Sequence, residues 1–160
     1  MLIFLLMFSL FFSLFEFLYF IIPDAFLSGV IYHHGLVLPS AAIIQFLHPT
    51  EQVIAAHNIL SSRGFSLEVV RGCDGAGIIF LLTAAILAFP ASVKNKIFGI
   101  VTVSSLFIIL NFIRIVGLYF VMSYKSQWFA PLHTYFIPTF IIILGCLFFA
   151  VWVQMASSKK

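Results

Sequence analysis

The sequence predicts an all-α integral membrane protein, with about four transmembrane helices and an interfacial or re-entrant segment on the outer side. Composition is the first ground: 63% of the 160 residues are hydrophobic and 8% are charged, whereas a soluble domain carries roughly 25% charged residues. Patterning is the second. The apolar residues fall in continuous runs near the length of about 20 that a spanning helix needs, not in the polar-apolar alternation of a membrane barrel. A mean hydropathy of +1.20 agrees with both.

Each element follows in chain order within a single polytopic domain, residues 1–160. The first span is 2–22, too long for a signal-peptide core and without a basic leading region or a small-residue cleavage site, so it reads as retained. The outer segment 23–72 is mixed and holds every histidine except His133. Its piece SAAIIQFL is apolar but too short to cross, hence interfacial or re-entrant. From Ile59 to Val70 a loose alternation surrounds the turn signal SSRG and suggests a small hairpin. The second span, 73–90, reaches adequate length only by starting near Cys73, and Pro90 closes it. Spans 97–122 and 134–154 complete the set.

Lys94 with Lys96, and Lys159 with Lys160, fall on one side in this arrangement, and the positive-inside bias makes that side cytoplasmic. The segment 23–72 and the connection YKSQWFAPLH then face outward. Arg63, Arg71 and Lys125 oppose the bias but are accompanied by Asp24, Glu51 and Glu68. The net charge of +3 is scattered and forms no basic stripe, which sets nucleic acid aside as a partner. Two cysteines, Cys73 and Cys146, supply neither a disulfide framework nor a four-cysteine zinc site, and nothing in the sequence requires a metal or a cofactor.

The stretch LEVVRGCDGAG clusters Glu68, Arg71, Cys73 and Asp74 just before an uncharged run. A thiol attacks as its thiolate, a form favoured by a helix N-terminus, a cation or a histidine, and Cys73 stands where all three are available. The cation is Arg114, in the outward half of the third span; an arginine in lipid costs at least about 2.5 kcal/mol at a helix centre, and so faces a bundle interior or snorkels. Asn111, three residues earlier, shares its helix face. His133 opens the fourth span and can act as base and then as acid. Together, Cys73, Arg114 and His133 are expected to make an acyl-transfer site, with Asn111 on the arginine's helix face and Glu68 and Asp74 near the thiol in sequence.

Other polar and small residues read as structural. Cys146 lies within FIIILGCLFFAVW as a packing thiol, and Glu16 requires a partner or a water-filled pocket. His33 and His34 are expected to diverge, Pro49, Glu51 and His57 to be solvated, and glycines 72, 75 and 77 to allow close helix contact. By spacing alone, two rival classes stay open: a membrane metal-binding or transport protein that uses Cys73, Asp74 and the outer histidines, and a non-catalytic membrane subunit.

The blocks LEVVRGCDG, LNFIRI and LHTYF, in that order, resemble the exosortase/archaeosortase family, in which an E-x-x-x-x-C-[S/N/D]-G block precedes N-x-x-R and then a histidine. The closing AFP and the connection WFAPLHTY look most like the exosortase H branch, and the resemblance covers Val53 to Val153. It implies a polytopic cysteine peptidase and transpeptidase, with Cys73 as nucleophile, Arg114 as the essential arginine and His133 as the histidine. The implied partners are exported proteins whose C-terminal sorting signal comprises a motif, a transmembrane helix and a basic tail, of the Ile-Pro-Thr-Leu and Trp-Gly type, together with an acceptor molecule and the bilayer. The implied location is the bacterial inner membrane, with the site on its outer face. Asp74 stands where many relatives carry Ser or Asn, a departure that leaves its role open.

Overall fold

Glycine and proline set the lengths of the helices in a chain whose apolar residues would otherwise run on. The computed structural model describes residues 1–62 and 64–157. Helix α1, Leu2–Phe20, is apolar except for Ser9, Ser13, Glu16 and the Tyr19 hydroxyl, and ends before Pro23. Pro23 occupies the cap position of α2, Asp24–Leu47, and Asp24 places a carboxylate in its first turn, where the helix dipole favours negative charge. This 24-residue helix stops at His48, next to Pro49. SAAIIQFL therefore forms the end of a long helix rather than a short one standing alone. Within α2 the residues Leu27–Val37 take the wider π-helical winding.

Helix α3, Ala76–Ala88, has 13 residues, about 20 Å at 1.5 Å per residue. The start expected at Cys73 is not observed. Gly72 and Gly75 have φ of +81° and +83°, a left-handed conformation that keeps residues 72–75 out of the helix. At the other end Phe89 is extended, as a residue before proline prefers, and the Lys96 ammonium donates to the Leu87 carbonyl at 2.6 Å. Helix α4, Val93–Lys125, is 33 residues long, about 50 Å, and the Ser92 hydroxyl caps it by accepting from the Asn95 amide at 3.4 Å. Lys125, with φ −148° and ψ 61°, breaks the helical path. Short turns, ending in the wide, π-helical Leu132–Phe136, lead on to α5, Ile137–Ser157.

Among the described residues three helical runs are long and apolar enough to cross a membrane: Leu2–Phe20, Asp24–Leu47 and Val93–Ser157, the last containing both α4 and α5. The molecule is mostly helical, yet it is not wholly α. Strands β1 (Ile54–Ala56), β2 (Ile59–Ser62) and β3 (Phe65–Glu68) form an antiparallel sheet in the order β1-β2-β3. The expected hairpin is β2–β3. The additional strand β1 joins through a tight turn in which His57 takes φ +50°.

The chain divides into two compact units. One comprises Met1–Ile21, Gly75–Ile109 and Pro138–Lys160. Its packing is aromatic and close: Phe15 and Tyr19 of α1 meet Phe80 of α3 at ring separations of 5.9 and 5.6 Å. A Cβ on Gly145 would come within 3.0 Å of Ile78, and one on Gly99 would overlap the Trp152 indole. That indole donates to the Asn95 carbonyl at 3.2 Å.

The other unit comprises Ile22–Asp74 and Leu110–Ile137. Here β1 lies along α2. His33 Nδ1 donates to the His57 carbonyl at 3.0 Å, and Gln45 donates to the Val53 carbonyl at 3.4 Å. The core between the sheet and the helices is built from Leu60, Leu67, Val37, Ile44 and the fully buried Tyr119. Two expectations are corrected. Glu51 is not simply solvated, because it accepts from the Tyr119 hydroxyl at 3.1 Å and from Ser62 at 3.2 Å; a buried phenol needs such a partner. His33 and His34 do not diverge, because the π-helical winding brings their rings to 4.9 Å, edge to face.

Candidate active site

The site is built on the turn that joins the sheet to α3. The Cys73 amide donates to the Val70 carbonyl at 2.9 Å, and left-handed Gly72 and Gly75 bracket Cys73 and Asp74. Among the described residues, chain neighbours apart, no atom lies within 4 Å of where a Cβ on Gly72 would sit, so that glycine serves the backbone conformation rather than close helix contact. A Cβ on Gly77, by contrast, would sit 4.0 Å from Glu16 Oε1, in ordinary contact range.

Asn111 and Tyr32 hold Asp74. Asn111, 3% exposed, donates to its backbone carbonyl at 2.9 Å, and Tyr32, 3% exposed, donates from its hydroxyl to the carboxylate at 3.2 Å. The other amide atom of Asn111, Oδ1, is buried without a partner among the described residues. Such a group costs about 1–3 kcal/mol when left unsatisfied, a cost tolerated at sites built for something other than stability.

Cys73 Sγ lies 3.2 Å from His133 Nε2, within hydrogen-bond reach for sulfur. His133 sits on the π-helical turn Leu132–Phe136, and the Phe129 ring stacks on its imidazole at 5.3 Å and 6°, which fixes the ring plane. Arg114 lines the same cavity of about 30 Å³ as Cys73 and His133. That volume suits a water molecule or two. Ile115 and Leu118 close it on the α4 side; with Asn111 and Arg114 they follow the i, i+3, i+4, i+7 spacing of one helix face. Among the described residues no carboxylate pairs with Arg114. A half-buried, unpaired guanidinium beside a thiol is a ready donor to developing negative charge.

The remaining predicted residues fall in different places. Glu68 lies at the cavity rim and accepts from Asn58 at 3.0 Å. Arg71 turns away from the thiol, pairing with Asp24 at 2.9 Å and donating to the Ile22 carbonyl. Cys146 lines an apolar groove of about 390 Å³ in the first-described unit, with Phe4, Phe8, Ile78 and Phe149. Glu16 also belongs to that unit and is not among the residues lining the thiol cavity. Sequence reasoning missed Tyr32, Asn58 and Phe129. Phe129 precedes His133 by four residues, a spacing that signals one helix face; nothing local marks Tyr32 or Asn58. Among the described residues no three of His, Cys, Asp and Glu gather as metal ligands. Comparison of the chain with family models, curated proteins and solved structures gives no match.

Proposed function

We propose that the chain is a membrane cysteine peptidase of the exosortase type, cleaving exported proteins at a C-terminal sorting signal and passing the new carboxyl end to water or to an acceptor amine. The observation that carries this reading is the 3.2 Å separation of Cys73 Sγ and His133 Nε2 in a cavity shared with Arg114. His133 takes the thiol proton, and the thiolate adds to the scissile carbonyl carbon. The Arg114 guanidinium supports the resulting oxyanion. The carbon–nitrogen bond then breaks, the amine leaves with the proton from His133, and a thioester remains on Cys73. A water or acceptor amine gives its proton to His133, attacks the thioester and releases the thiolate. Asn111 and Tyr32 position the turn through Asp74 and do not touch the reacting atoms.

The proposed topology has four crossings, α1, α3, α4 and α5, in a bacterial inner membrane. Helix α2 is long enough to cross, but β1 runs beside it, and an open sheet edge does not persist in hydrocarbon; we therefore assign α2 to the outer surface. Two helices in series separate Lys94 and Lys96 from Lys159 and Lys160, so both pairs share the cytoplasmic side. The Cys73 turn, one crossing away along α3, then faces outward.

The test is co-expression with a candidate substrate that carries such a signal, followed by intact-mass analysis. Wild type and Cys146→Ala should yield cleaved product in amounts within about twofold of each other, while Cys73→Ala yields none above background. An equal yield from Cys73→Ala would overturn the reading. Mass added to the product would identify the acceptor.

A further inference from the structure

The sheet that precedes Cys73 leaves one edge unused. The Val69 amide donates to the Asn58 carbonyl at 2.8 Å, continuing the β2–β3 register of Ile59 with Glu68 and Leu60 with Leu67. In an antiparallel ladder, residues alternate between facing the partner strand and facing away. Val69, Leu67 and Phe65 therefore turn their amides and carbonyls toward β2, and Ser66 and Glu68 turn theirs to the open side. Sheet order makes β3 an edge strand, and among the described residues no backbone group pairs with that side. Ser66 and Glu68 are both exposed.

β1, at the opposite edge, is covered by α2 through His33 and Gln45. Among the described residues β3 has no such cover and carries neither proline nor lysine; its shortness and the charge of Glu68 are its protection against pairing with other chains at large. Its position is the second point. Leu67, Glu68 and Val69, the end of this strand and its exit, line the cavity that holds Cys73, Arg114 and His133. On its other flank Glu68 also lines a cleft of about 470 Å³ with Asp24, Tyr32 and Arg71. The thiol cavity itself, at about 30 Å³, has no room for a peptide. A polypeptide substrate must lie outside it and present only its scissile bond.

We infer that the free edge of β3 is the docking strand for substrate: an extended segment of about four residues pairs with the backbone of Ser66 and Glu68 as a fourth strand and so delivers its carbonyl to Cys73. This rests on the reading of Cys73 as nucleophile. Main-chain pairing provides the register, and the side chains of alternate substrate residues meet the thiol cavity on one face and the Asp24–Arg71 cleft on the other. A short strand limits the occupant to one brief extended stretch.

The test uses the full chain in lipid nanodiscs and three reagents: iodoacetamide, a tetra-alanyl chloromethyl ketone, and the same ketone with N-methylated backbone amides. Iodoacetamide should modify Cys73; an inert Cys73 would overturn the nucleophile, and the docking strand with it. With Cys73 reactive, the peptidyl ketone should alkylate it about tenfold faster than its N-methylated form, the effect of one or two lost backbone hydrogen bonds. Ser66→Pro removes an outward amide without breaking a bond to β2, and should erase that difference. The iodoacetamide rate in the same variant reports an intact turn. Equal rates for the two ketones on a reactive wild-type Cys73 would overturn the docking strand alone.

Discussion

The two units of the chain divide its polar chemistry unevenly. The unit made of Ile22–Asp74 and Leu110–Ile137 contains four of the five carboxylates, Asp24, Glu51, Glu68 and Asp74, and all five histidines. The unit made of Met1–Ile21, Gly75–Ile109 and Pro138–Lys160 has Glu16 as its one carboxylate, and its range includes Lys94, Lys96, Lys159 and Lys160. Each unit also has one cysteine. Cys73 lies against an imidazole at 3.2 Å, while Cys146 lines a groove of carbon atoms. A thiol therefore says little by itself; its neighbours decide whether it packs or reacts. One unit is a scaffold of apolar helices, and the other concentrates hydrogen-bonded side chains around a turn.

The sharpest way to break this contrast is to read both thiols at once. A charged, water-soluble methanethiosulfonate should modify Cys73 at least about a hundredfold faster than Cys146, since Cys73 has a proton acceptor at 3.2 Å and Cys146 lies in an apolar groove of the unit proposed to sit in lipid; comparable rates by mass spectrometry would end the distinction. Next is Arg114→Lys. An ammonium lacks the planar fork, so substrate turnover should fall about a hundredfold with expression unchanged; full turnover would remove the arginine from the proposed chemistry. Smaller effects separate the units by type of damage. Gly75→Ala forces an alanine into a left-handed conformation, costs about 1–2 kcal/mol, and should slow Cys73 alkylation severalfold. Gly99→Ala overpacks against Trp152 and should cost about 1–3 kcal/mol of thermal stability in detergent while leaving the Cys73 alkylation rate within about twofold. If both glycine variants slow alkylation alike, the division into scaffold and site is wrong.

Much of the scaffold was legible because its signals are local. Long apolar runs, proline stops and the high cost of a charge in lipid single out α1, α4, α5 and Arg114 without reference to the rest of the chain. The GCDG turn was visible as a cluster, although its two glycines were read as packing aids and prove to be conformational. What stayed hidden depends on distant partners. The wide winding of Leu27–Val37 and of Leu132–Phe136, which carries Tyr32 and His133, has no sequence period of its own and is a feature often found at functional sites. Strand β1 has three residues and rests on α2, so propensity alone could not find it. The Tyr119–Glu51 contact joins residues 68 positions apart, beyond the reach of any local pattern.

The brevity of α3 has a mechanical consequence. If α3 crosses as proposed, a helix of about 20 Å in a hydrocarbon layer of about 30 Å leaves a deficit of about 10 Å, which the surrounding lipid must absorb by dimpling, at a fraction of a kcal/mol per ångström. Such a dimple lowers the headgroup layer, and the water it holds, toward the residues that precede the helix. Under the proposed topology the thickness of the host bilayer becomes a variable of the proposed reaction: thin membranes relieve the elastic load, and thick, sterol-like ones raise it.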